Sequence, residues 1–157
     1  MRISNIDDDI LIYINNNSVD IDLEDLDLVK EYFKDLFIKI KDKVNISGFY
    51  FVNVYSDNNF GIVIELAKDD IDYFDYYDEV DMHITLIENP FLFEVEDIFF
   101  NDKIINNSIV IYYNKKIYLK TENILDEKIK SYLYEFGNLI YRDTNTIINN
   151  GKRIILN

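Results

Sequence analysis

The side chains able to do chemistry in this chain are nearly all carboxylates. Asp7-Asp8-Asp9 stand together near the start. Residues 69–81, DDIDYFDYYDEVD, carry seven acids and four aromatics. Glu94, Glu96 and Asp97 follow in FEVED. The single histidine is His83, and there is no cysteine. That excludes a thiol nucleophile, a disulfide framework and cysteine-held metal. The three N-terminal acids lack the spaced ligands and the glycine of a calcium loop, so they read as a solvated turn. His83 lies in an apolar, strand-like run without a nucleophile motif, which reads as a structural role. No Gly-rich phosphate loop, nucleophile elbow or ligand cluster is present, so nothing in the residues supports an enzyme.

Residues 69–81 admit three readings. Asp72, Asp75 and Glu79 would share one helix face, where their mutual repulsion disfavours a helix. The adopted reading is a linker whose aromatics pack down and whose acids face water. The second is a docking patch for a basic partner, through Asp72 and Asp75. The third is a metal site, for which spacing alone is weak support.

These groups must be positioned by the surrounding elements. Residues 1–6 and 10–14 read as paired strands. Residues 26–43 read as the longest helix, with Val29, Tyr32, Phe33, Leu36, Phe37 and Ile40 as its apolar stripe. Two strands follow, 49–55 and 60–66, joined by the turn-rich Ser56-Asp57-Asn58-Asn59. Residues 83–87 read as a strand. Asn89-Pro90 reads as a cap and first position of a helix burying Phe91, Val95, Ile98 and Phe99 and exposing Glu94, Glu96 and Asp97.

The stretch 108–137 is the best-defined unit: strand, polar break at Asn114-Lys115-Lys116, strand, helix, glycine. Asn tolerates the left-handed turn position there. Asp126 or Asn123 caps the helix, and Ile129, Tyr132, Leu133 and Phe136 make its apolar face. Gly137 falls where a left-handed helix stop belongs. Asn149-Asn150-Gly151 turns into a closing strand over 152–156.

The expected fold class is therefore α+β in two small halves, each a short, mostly antiparallel sheet packed against amphipathic helices. The first half is 1–66 (β-β-α-β-β), the linker 67–81, and the second half 82–157 (β-α-β-β-α-β). The 157 residues carry a formal net charge of −14 and are 48% hydrophobic, enough for a core. Such a surface repels phosphate backbones, so no direct nucleic-acid binding is expected, while basic partners are favoured. No apolar run reaches membrane-spanning length and no signal core opens the chain, which gives a cytoplasmic expectation and no membrane.

Nearly the whole chain resembles, in order, the MecA family of adaptor proteins. The residues are Met1-Arg2-Ile3, Ile6-Asp7-Asp8, EYFKDLF at 31–37, GFYFVNV at 48–54 with GIVI at 61–64, FEVEDI at 93–98, the tyrosine-rich 108–119, LYEFG at 133–137 and NGKRII at 150–155. All four glycines fall where the family pattern has one. The segment between the halves is shorter than the family's polar linker, and the family continues beyond the last strand where this sequence ends at Asn157. The resemblance implies a non-enzymatic adaptor, with no metal or cofactor, delivering a substrate protein to a ClpC-type AAA+ unfoldase. The first half would hold the substrate, such as a competence transcription factor, and the second would dock on the unfoldase; the acidic surface suits a basic regulator. Glu94, Glu96 and Asp97 are the expected contacts. The alternative is an acidic inhibitor that mimics nucleic acid.

Overall fold

A computed structural model describes residues 1–6, 9–15, 18–21, 25–44, 48–57, 59–68, 80–96, 102–123 and 125–155. The chain divides into two compact units, Met1–Tyr55 with Gly61–Ile87, and Ser56–Phe60 with Glu88–Asn157. Each holds one five-stranded sheet and its helices, an α+β fold in two halves.

The first sheet contains β1 (Arg2–Ile6), β2 (Asp9–Ile14), β3 (Gly48–Asp57), β4 (Gly61–Lys68) and β5 (Val80–Glu88), in the order β1-β2-β4-β3-β5. β1 and β2 form an antiparallel pair with Ile3 opposite Ile12, and β2 runs antiparallel to β4 with Ile12 opposite Ile64. Period-two alternation sends Ile10, Ile12 and Ile14 to one face, where Ile62, Ile64, Leu66, Tyr50, Val52 and Val54 join them. Helix α1 (Leu26–Val44) covers that face. Its stripe is as the spacing predicts: Val29, Phe33, Phe37 and Ile40 are buried, with Tyr32 and Leu36 at the margin. Full burial of each such side chain contributes about 1.5–3 kcal/mol. The Asp25 carboxylate caps the helix, accepting from the Asp27 and Leu28 backbone N–H groups at 3.0 and 3.2 Å. Lys41 and Lys43 in the last turn suit the negative end of the helix dipole.

The sequence reading assigns 82–87 to the second half. The structure differs: β5 is the edge strand of the first sheet, beside β3. An apolar run shows that a strand forms but not which neighbour it pairs with.

The second sheet contains β6 (Leu92–Val95), β7 (Ser108–Tyr113), β8 (Lys116–Thr121), β9 (Gly137–Ile140) and β10 (Lys152–Ile154), ordered β10-β7-β8-β6-β9. Every pairing in it is antiparallel. Asn114 and Lys115, at φ 48° and 64°, close the two-residue turn between Tyr113 and its partner Lys116. Two positive φ angles match the turn to the twist of the strands. Helices α2 (Asp102–Ile105), α3 (Glu127–Phe136) and α4 (Thr144–Asn150) complete the unit. Ile147 of α4 packs on Leu92, Ile111 and Tyr118 on one face of the sheet. On the other, Phe93 meets Phe60 at 4.8 Å and Tyr134 of α3 at 5.4 Å between ring centroids.

Three local expectations give way here. The helix expected after Asn89-Pro90 is strand β6 over Leu92–Val95, hydrogen-bonded on both sides to β8 and β9. Ile98 and Phe99 lie outside the described residues. Gly137 has φ −135° and starts β9, so it is no left-handed stop. Tight space favours glycine there instead. A Cβ would lie 3.1 Å from the Leu133 carbonyl oxygen and 3.2 Å from the Phe93 ring. Phe136 is not core: it is 52% exposed.

A candidate interaction surface on helix α3

Asp126 caps α3 by accepting from the Ile129 backbone N–H at 2.8 Å. The buried positions are Lys130 and Leu133, with Tyr134 packed on Phe60 and Phe93. These, with Gly137, follow the spacing i, i+3, i+4, i+7. That stripe sits one residue along from Ile129, Tyr132, Leu133 and Phe136, the stripe the sequence favours. Lys130 at an inward position hides it. The ammonium is bonded to Glu127 at 2.9 Å, and the Lys130 side chain is only 7% exposed. Its methylene stem supplies apolar surface while the charge meets a carboxylate.

Rotating the buried face turns Phe136 outward and leaves Tyr132 half-buried beside it. Their rings lie 4.5 Å apart between centroids at 42°. A helix capped at one end, seated by Leu133 and running directly into β9, thus presents Phe136 to water with the Tyr132 ring tilted against it. A large exposed aromatic on such an element has the make-up of an interface anchor.

The expected acidic contacts are dispersed. Glu94 lies on β6, opposite Tyr118 of β8, rather than on the solvent side of a helix. Its carboxylate is ion-paired with Lys116 at 2.9 Å. The hydrogen bond and charge of Glu94 raise the Lys116 pKa. Burial, then the Glu94 charge, raise that of the Tyr118 phenol. Glu96 is exposed in the bend after β6. Asp97, Asp72 and Asp75 fall outside the described residues.

In the first unit, Phe51 on β3 is 48% exposed, and its ring meets that of His83 on β5 edge-on at 6.1 Å. His83 is itself exposed, so it is a surface residue of a sheet, not a core one. Elsewhere on β3, the buried Tyr55 hydroxyl donates to Glu65 of β4 at 3.2 Å. Among the described residues no group of three or more His, Asp or Glu side chains is placed to hold a metal ion. Among them, too, no helix is long and apolar enough to cross a membrane.

Compared with protein families, with curated proteins and with solved structures, the chain has no match.

Proposed function

We propose that this chain is a non-enzymatic adaptor that holds a substrate protein and docks on a ClpC-type AAA+ unfoldase for regulated proteolysis. The observation that carries the reading is the exposed Phe136 on α3, its ring against that of the half-buried Tyr132, in the segment whose LYEFG resembles a helix end of the MecA family. An aromatic held outside on a braced helix loses little conformational entropy on binding, so it suits an anchor. Docking on the unfoldase falls to this second unit. Substrate holding falls to the first, where Phe51 and His83 offer the exposed contact. With a net charge of −14, a basic substrate is favoured, with fast and salt-sensitive association. The exposed Glu96 serves as a rim charge, whereas Glu94 is engaged by Lys116. No metal or cofactor enters the proposal, and its setting is the cytoplasm.

The experiment mixes the purified chain with a ClpC-type unfoldase and records ATPase stimulation and co-elution. Both are expected, and both should weaken in Phe136→Ala while its melting is unchanged. If neither occurs at roughly tens of micromolar, where weak complexes still form, the adaptor reading falls. Capture of a nucleic-acid-binding protein instead would favour the acidic-mimic reading.

A further inference from the structure

Asn150-Gly151 is the sole Asn-Gly pair in the sequence. It forms the joint between α4 and β10. Glycine is required there by packing, not by its dihedral angles, since φ is −76°. A Cβ at Gly151 would collide with Ile111 Cγ2 and with the Ile147 carbonyl oxygen. The residue ahead of it, Asn150, is exposed to water. The packing of β7 thus imposes, beside an exposed asparagine carboxamide, a backbone nitrogen with no side chain to shield it.

Both reacting groups are held in the folded chain. The Gly151 N–H donates to the Ile147 carbonyl at 2.8 Å, and Asn150 Nδ2 donates to the Thr146 carbonyl at 3.1 Å. These two bonds close the last turn of a helix of seven residues. Short terminal turns open at low free-energy cost.

We propose that Asn150 is a self-modification site, latent in the folded chain and released when the last turn of α4 opens. In the open turn the Gly151 amide gives its proton to solvent base, and its nitrogen bonds to Asn150 Cγ. The Cγ–Nδ2 bond breaks and ammonia leaves, closing a succinimide. Water then opens the ring at either carbonyl, leaving an aspartyl or an isoaspartyl residue at position 150. Both products carry one new negative charge. The isoaspartyl product also routes the main chain through the side chain and adds a methylene between α4 and β10. Gly151 then loses its seat against Ile111. The pairing of Lys152, Arg153 and Ile154 with Tyr112, Ile111 and Val110 is set by that joint, so β10 detaches from β7. The modification thus acts as an irreversible release of the edge strand of the second sheet.

The test incubates the full chain at physiological temperature in mildly alkaline buffer, native and urea-unfolded, and follows deamidation by peptide-mapped mass spectrometry. Position 150 should be modified ahead of the other asparagines in urea, and at least about tenfold more slowly in the native chain, as for any reaction gated by local opening. Ile147→Ala, which loosens α4, should speed the native reaction, and Asn150→Gln should abolish it. The isoaspartyl form, isolated by ion exchange, should lose hydrogen-exchange protection at Val110 and Tyr112. Equal native and unfolded rates, or modification elsewhere first, would overturn the proposal. So would full protection of β7 in the isoaspartyl form.

Discussion

Asn59 Oδ1 accepts the Leu125 backbone N–H at 2.9 Å, although the two residues are 66 positions apart in the chain. The same carboxamide donates through Nδ2 to Thr121 Oγ1 at 3.3 Å and to the Asn123 carbonyl at 3.0 Å. Its backbone N–H donates to Asp57 Oδ1, while Asp57 Oδ2 accepts from the Phe91 N–H. The short segment Ser56–Phe60 therefore belongs to the second unit through hydrogen bonds as well as through the Phe60 ring. Asn59→Asp keeps the shape but turns both donors into an acceptor facing the Asn123 carbonyl. A buried unpaired polar group costs roughly 1–3 kcal/mol. A loss of at least that size is expected in chemical denaturation, and an unchanged midpoint would contradict the network.

The Asn114–Lys115 turn carries a removable cost. Lys115 adopts φ 64°, where its Cβ is crowded and glycine is not. Lys115→Gly should stabilise the chain by roughly 1 kcal/mol, the order of the left-handed penalty. Thermal melting of the two proteins side by side checks it; a lower melting temperature in the variant would count against the turn geometry.

Thr144 is fully buried, and its hydroxyl has no hydrogen-bond partner. Thr144→Val preserves the shape and removes an unpaired polar atom, a change expected to be neutral or stabilising by up to about 1–3 kcal/mol. Thr144→Ala removes volume too and should be the less stable of the two. Equilibrium unfolding in urea orders the three proteins.

Two phenylalanines on helices should behave oppositely. Phe33 is 0% exposed in the core of α1, and Phe33→Ala should cost about 3–5 kcal/mol. Phe136 is 52% exposed, and Phe136→Ala should stay within about 0.5 kcal/mol of the parent. Comparable losses at both sites would place Phe136 in the core after all.

Lys116 and Tyr118 both have pKa values raised in the folded chain, the first chiefly by the hydrogen bond to Glu94 and the second chiefly by burial. A raised folded pKa means the folded state holds its proton more tightly. Each contribution is complete below the ordinary values of 10.5 and 10.0 and is lost as pH rises through the folded values. Stability should accordingly decline above about pH 10. In Glu94→Gln that decline should be shallower, which alkaline denaturation curves measured by circular dichroism would reveal.

Local physics alone determined several parts of this protein. The α1 stripe was legible because six apolar residues recur at helical spacing with no rival face. A cap at Asp126 or Asn123, which the structure settles at Asp126, and Asn114 as a left-handed turn residue were legible because side-chain and backbone chemistry act within a few positions. The two-unit α+β class followed from such elements in series. Tertiary structure decided what depends on a distant partner. A run as short as Leu92–Val95 fits strand or helix, and only β8 and β9 on either side make it a strand. The two candidate faces of α3 differ by one residue. Phe60 and Phe93 select the one containing Lys130, because Tyr134 packs edge-on against them. Gly137 was visible as a needed glycine, but its reason, the close approach of Phe93, lies 44 residues back in the chain. Burial is settled by which surfaces meet, and a sequence records each surface without naming the one that covers it.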